Sequence, residues 1–213
     1  VAGVDDGQVF AAIADERRAL ADFLDTLTDE QWAVPSLCQG WMVSDVAAHL
    51  VMPLITSKPR FVIEMAKARG NFDKANIALT ARVVRSHFNH FAELLRGNAD
   101  SRFTPPGIGP QAPLTDIVVH GQDIRRPLGQ SRSFNVDRQR VVLDFLVTPT
   151  ARRIFRSPSG IRWKATDLDW SHGNGPQVEG PAEALMLTLS GRPAARADLS
   201  GEGTMRLPNQ FKP

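Results

Sequence analysis

Over most of the first 150 residues, apolar side chains return every three or four positions, the spacing that lays one hydrophobic stripe along an α-helix. Val9, Phe10, Ile13, Leu20, Phe23, Leu24 and Leu27 trace the first such stripe, with Asp5 or Asp6 placed to cap it. Thr28-Asp-Glu-Gln31 then has the form of a capping box and opens a short turn carrying Trp32. A second helix is expected from about Met42, with Val43, Val46, Ala47, Leu50 and Leu54 inward and a kink at Pro53. A third is expected from about Asp73 to Arg96, its stripe formed by Ile77, Val83, Val84, Phe88, Phe91, Leu94 and Leu95, with Gly97 as its stop. The Pro/Gly-rich stretch 104–113 reads as a connector. A fourth helix follows from about Leu114 to Arg126, ended by Pro127 and Gly129, and a fifth from about Val136 to Val147.

Beyond about residue 155 the period changes. Ile161 to Thr166 alternates as a strand does, Ser171 to Gly175 is turn-like, and Thr204 to Leu207 reads as a last strand. Pro181 opens a short helix over Ala182 to Ser190, stopped by Gly191 and Pro193. The layout is mainly α: an up-down four-helix bundle over residues 1–150, then a small α+β segment over 151–213.

Composition narrows the function classes. With 213 residues, 42% hydrophobic and 23% charged, the chain can bury a full core. The net charge is +2 and the pI about 9.0, but Lys and Arg are scattered without interleaved aromatics, which argues against a nucleic-acid surface. No stretch approaches the roughly 20 apolar residues of a membrane span, so no membrane partner is expected. The opening VAGVDDGQVF does not read as a signal peptide. The lone Cys38 excludes an internal disulfide and fits a reducing cytoplasm. Walker loops, nucleophile elbows, zinc-finger spacings and strand-anchored dinucleotide loops are missing from the sequence. There is no tyrosine, hence no phenolic acid.

What chemistry remains centres on histidine. Asp116 and His120, four apart, fall on one face of the fourth helix, one turn from each other. His49 on the second helix could face that pair across a bundle core and complete a three-ligand site with an open position. Each has an ordinary explanation alone: a hydrogen-bonded core histidine, a carboxylate favoured near a helix start, an imidazole favoured near a helix end.

The surrounding motifs sharpen the choice. LCQGWMVSDVAAHLV (residues 37–51) resembles the signature of the mycothiol-dependent maleylpyruvate isomerase family, a branch of the DinB-like metal-binding bundles. DIVVHGQDIRRPLG (116–129) resembles that family's fourth-helix motif, and GIRWKATDLDWSHGNGPQVEGPAEALMLTLSGRP (160–193) looks like a carboxyl-terminal segment found in actinobacterial members. The resemblance implies a DinB-like bundle, a divalent metal (zinc in the isomerase) and mycothiol as thiol cosubstrate. By position it implies His49, Asp116 and His120 as metal ligands. It further implies a metal-dependent, mycothiol-using thiol transferase or isomerase acting on a small electrophile. A non-catalytic metal- or ligand-binding bundle and a metal-dependent hydrolase are the alternatives, and a monomer or homodimer is expected.

Two positions depart from the family pattern. Asp116 stands where the isomerase has Glu, one methylene shorter. Met42 stands at a helix cap where Thr is usual, and it cannot accept from free backbone amides. Arg125 and Arg126 suit a helix end and could meet the anionic groups of the thiol or substrate, so they are the candidate cofactor-binding pair. Asp123 reads as a helix-end carboxylate that could alternatively support a ligand histidine, Cys38 as a structural thiol, and Trp41 as packing for the turn. His87, His90 and His172 read as packing or solvated residues. No catalytic side chain can be assigned.

Overall fold

In a computed structural model of the chain, residues 5–130 and 132–208 are described. They fall into two compact units, one over Asp5–Ser131 and the other from Arg132 onward.

The first unit is helical. Helix α1 (Asp6–Leu24) is capped by the Asp5 carboxylate, which accepts from the Gly7 amide. The short α2 (Asp29–Trp32) forms the expected capping box between Thr28 and Gln31. Then come α3 (Val43–Ile55), α4 (Lys58–Lys67), α5 (Phe72–His87), a 3-10 turn (Phe88–His90), α6 (Phe91–Gly97) and α7 (Gln111–Arg125). Helices α1, α3, α5 with α6, and α7 pack on one another as the bundle. Leu20, Leu24, Val46, Val51, Leu79, Leu95, Leu114 and Ile124 are buried between them. Each such aliphatic side chain contributes about 1.5–3 kcal/mol when removed from water.

Three local features depart from the sequence reading. The third helix is not continuous: His87 leaves helical geometry (φ −140°, ψ 19°), and the 3-10 turn separates α5 from α6. Phe88 and Phe91 at this break pack on Trp32, at ring separations of 5.9 and 5.8 Å. Ile77 is therefore not in the inward stripe: it is 53% exposed, and Ala75, Leu79, Thr80 and Val83 face the core instead. Helix α4 was not anticipated, because none of its residues is buried and its apolar stripe has no deep core to mark it.

The turn before α3 is built without a capping side chain at Met42. Asp45 restores half of the lost cap, its carboxylate accepting from the Met42 amide at 2.8 Å. Pro53 sits near the end of α3 and has no N–H for the carbonyl of His49, four residues earlier, so that carbonyl lacks its in-helix donor.

The second unit holds α8 (Val136–Leu146), α9 (Pro149–Phe155), strands β1 (Arg162–Ala165), β2 (Ser171–His172) and β3 (Gln177–Gly180), and α10 (Ala182–Leu189). The sheet order is β2-β1-β3, antiparallel between β1 and β2 and parallel between β1 and β3. Along β1, Trp163 and Ala165 point inward and Arg162 and Lys164 outward, the alternation visible in the sequence. Trp170 donates its indole N–H to Asp144 at 2.8 Å, pinning the strand hairpin to α8. Asp167 caps α10 from outside, accepting from the Ala182 amide at 2.8 Å.

The expected fifth helix, α8, packs on the almost fully buried α10 instead of joining the bundle, so the units divide at residue 131 rather than near 150. The expected last strand at Thr204–Leu207 is a 3-10 turn over Glu202–Arg206. Gly201, at φ +97° and with its Cα against the Gln177 carbonyl, sets up a turn there that breaks strand geometry.

Candidate metal centre

Helices α3 and α7 lie against each other in the first unit, and this seam carries the chemistry. On α7, the four-residue spacing stacks Asp116 and His120: their Oδ1 and Nε2 are 3.4 Å apart. From α3, the Nε2 of His49 comes within 3.6 Å of the same carboxylate oxygen. The two imidazoles meet edge to face, with ring centroids 4.8 Å apart. All three ligand atoms lie within 4.8 Å of one another, so the structure brings the three expected ligands together.

The separations discriminate between hydrogen bonding and metal ligation. A good N–H···O bond spans 2.7–3.2 Å. Two ligand atoms about 2.0–2.1 Å from a tetrahedral zinc would lie about 3.3–3.4 Å apart. The 3.4 and 3.6 Å edges fit the second geometry better than the first. The donor set of two nitrogens and one oxygen also suits zinc and its neighbours in the divalent series. The shorter Asp116 side chain reaches both imidazoles without further closure of the helices.

His120 is held from behind. Its Nδ1 lies 2.8 Å from Oδ2 of Asp123, a proper hydrogen bond, and one turn of α7 supplies the spacing. Asp123 is fully buried. A buried carboxylate needs partners; here the Cys38 thiol donates to the same Oδ2 at 3.1 Å, and the Leu37 amide donates to the Asp123 carbonyl at 3.2 Å. Cys38, His120 and Asp123 also form a cluster of potential ligands. Its 2.8 Å edge makes it a hydrogen-bonded triad rather than a second cation site. With Nδ1 of His120 donating to Asp123, loss of the second ring proton would leave the Nε2 lone pair facing Asp116, the arrangement a metal-ligating histidine needs.

His49 is less well anchored. Its Nδ1 is buried with no hydrogen-bond partner among the described residues, and the edge-to-face contact with Trp41 (centroids 5.4 Å apart) is what orients the ring. Trp41 thus belongs to the wall of the site, beyond its expected packing role.

Charge binds the cluster together. Burial works to raise the Asp116 carboxyl, but His120 and His49 outweigh it and hold it well below the usual carboxylate range. Burial likewise works against protonated His120; the Cys38 sulfur and the Asp116 and Asp123 carboxylates outweigh that and hold it well above the ordinary imidazole value. Arg17, buried in α1, adds positive charge on which Asp116 acts; burial lowers its guanidinium while Asp116 and Asp100 raise it. Arg17 also donates to the carbonyls of Ala99 at 3.0 Å and Ser101 at 2.8 Å, closing the end of α6.

The remaining expected site residues lie elsewhere. Arg125 is buried, its guanidinium over the Phe23 ring at 4.6 Å and bonded to the carbonyls of Ala19 and Gly121. Arg126 is half-buried in the 3-10 turn after α7. His90 pairs with Glu93 and His87 with Ser86, both on the surface side of the bundle. His172 is exposed on β2 and stacks against Trp170. The sequence signal for Asp123 was its place three residues after His120; what it could not show was complete burial.

Comparison with known proteins fits this architecture. In class, the chain is a helical bundle followed by a small α+β unit. Residues 13–56 match the model of the mycothiol maleylpyruvate isomerase N-terminal domain, which takes in α3 and His49. The chain is similar in structure to the mycothiol-dependent maleylpyruvate isomerase, with a TM-score of 0.65 at 12% identity, covering 99% of this chain and 97% of that one. A mutant of the same isomerase gives a TM-score of 0.65 at 11% identity over the same shares. No curated protein matches the sequence. The match over residues 13–56 takes in the first of the three motifs, and the likeness over almost the whole length of both chains shows that this chain has the isomerase's fold.

Proposed function

We propose that this protein is a metal-dependent enzyme that uses mycothiol to isomerise a small electrophilic substrate or transfer the thiol to it. The observation that carries the reading is the convergence of His49, Asp116 and His120, with Asp116 Oδ1 3.6 and 3.4 Å from the two imidazole nitrogens and His120 backed by a buried carboxylate. These three residues would hold the cation, zinc by the chemistry of the donor set. A divalent cation there supplies Lewis acidity and favours the deprotonated form of a bound thiol or water.

The side chains do the rest. Asp123 fixes the tautomer and tilt of His120, Trp41 orients His49, and Asp116 supplies the negative charge that keeps the pair of imidazoles from repelling a cation. The nucleophile in this reading is the sulfur of the small thiol. For an isomerisation, sulfur adds to one carbon of a conjugated double bond, the resulting single bond rotates, and the same thiolate leaves, so neither oxidant nor reductant is required. Arg126, rather than the buried Arg125, is the candidate contact for anionic groups of the thiol. A cytoplasmic location is part of this reading, because a small-thiol cosubstrate belongs to a reducing compartment. No helix among the described residues is long and apolar enough to cross a membrane.

The test is direct. Protein purified without chelators should contain about one equivalent of divalent metal, and His120→Ala should contain little. Thiol consumption with an electrophile should require both the metal and mycothiol. Turnover with water alone, unaffected by mycothiol, would replace this reading with a hydrolytic one.

A further inference from the structure

A second site lies in the first unit, apart from the metal centre. The end of α3, the start of α4 and one face of α5 enclose a cavity of about 220 Å³. Ile55, Leu79 and Val83 form an apolar side; Arg60 and Arg82 form a cationic one with the His87 ring beside them; Thr56, Ser57 and Ser86 add hydroxyls. None of His49, Asp116 and His120 lines it, and neither does any carboxylate.

Arg60 is half-buried and Arg82 exposed, so a ligand from solvent can reach both. The Arg60 and Arg82 guanidinium groups make no ion pair or hydrogen bond among the described residues, although two guanidiniums facing one small space repel. Both act on Glu64, but its carboxylate is held by Lys67 at 2.9 Å and is not part of the wall. The N-terminal turn of the ten-residue α4 opens beside the same space through Ser57, adding the positive end of its dipole. His87 is fixed by a 2.7 Å contact between its Nδ1 and Ser86, which leaves its Nε2 as the second ring nitrogen.

We infer that this cavity binds a small oxyanion, a carboxylate or phosphate group on a short apolar stem. Arginine is the side chain whose planar fork fits both anions, and the two guanidinium groups here supply the positive charge that such an anion would balance. The volume is below that of a drug-sized pocket, which limits the ligand to a few heavy atoms beyond the anionic head. The apolar side rules against bare chloride as the intended occupant.

The test uses the full chain, as purified and as the His120→Ala variant, so that anion binding to a metal is separated from binding at this cavity. Inorganic phosphate and butyrate are titrated at constant ionic strength by calorimetry or by amide NMR shifts of α4 and α5. Saturable binding of either probe in the millimolar range or tighter is expected, unchanged by His120→Ala. The preferred probe identifies the source as a phosphate or a carboxylic acid. Arg60→Gln with Arg82→Gln should weaken it at least about tenfold, the loss of charge-assisted hydrogen bonds, with circular dichroism and metal content unchanged. Absence of saturation for both probes, equal binding by the double variant, or loss of binding in His120→Ala would each overturn the assignment.

Discussion

The role given to Asp123 can be tested at one atom. Its Oδ2 accepts from both the His120 ring and the Cys38 thiol, at 2.8 and 3.1 Å, inside a carboxylate with no exposure to solvent. Asp123→Asn keeps the volume and can keep an oxygen where Oδ2 stands, so the ring stays oriented but loses the neighbouring negative charge. Asp123→Ala removes orientation as well and strands a buried N–H and S–H. Groups that support a ligand histidine are typically worth 10–100-fold in metal affinity, about 1.4–2.7 kcal/mol. We therefore expect about a tenfold rise in metal Kd for Asp123→Asn and about a hundredfold rise for Asp123→Ala, read by chelator competition. The alanine variant should also lose stability in the metal-free state, because the donors it strands stay buried. If Asp123→Ala bound metal as tightly as the parent, the support of His120 from behind would be refuted whatever happened to stability.

Other outcomes follow from the same geometry. Metal needs neutral His120, whose protonated form is favoured in the metal-free site, so apparent metal affinity should climb from about pH 6.5 upward, by up to about tenfold per unit, until the raised pKa of His120 is passed. A flat profile between pH 6 and 8 would sink that linkage. In the metal-free protein, protonation of His120 adds stability below about pH 6.5 that is lost as pH rises through its raised value, while the ionised Asp116 adds stability above about pH 3.9 that is lost only as pH falls through its depressed value; urea midpoints across pH would show both limbs. Arg17→Met should cost about 3 kcal/mol by the same measurement, since the carbonyls of Ala99 and Ser101 lose their donor. Gly201→Ala should cost more than about 1 kcal/mol and leave metal binding untouched, its Cβ being forced against the Gln177 carbonyl at a left-handed φ.

The bundle and the meeting of His49, Asp116 and His120 were legible in sequence because both depend on local period. An i, i+4 pair needs only a helix to become a juxtaposition, and His49 was brought to it by a recognisable turn-and-helix motif. What sequence did not disclose depends on who packs against whom. The pattern of Val141, Val142, Phe145 and Leu146 marks α8 as amphipathic but cannot say that its partner is α10 and not the bundle. Helix α4 escaped because its burial is slight, and the break at His87 because a 3-10 turn leaves the average spacing of Phe88, Phe91 and Leu95 almost unchanged. Arg125 looked like a ligand-binding cation for the same reason: its charge is visible in sequence, whereas its burial over Phe23 is not.

An imidazole offers two nitrogens, and in His120 both are spoken for, one aimed at the ligand cluster and the other locked to Asp123. Once metallated, this ring can neither collect a proton nor release one during turnover. The proton that a thiol surrenders on entering must then travel through solvent, or stay with the small molecules themselves. Exchange of substrate hydrogens with deuterated water would reveal which route is used.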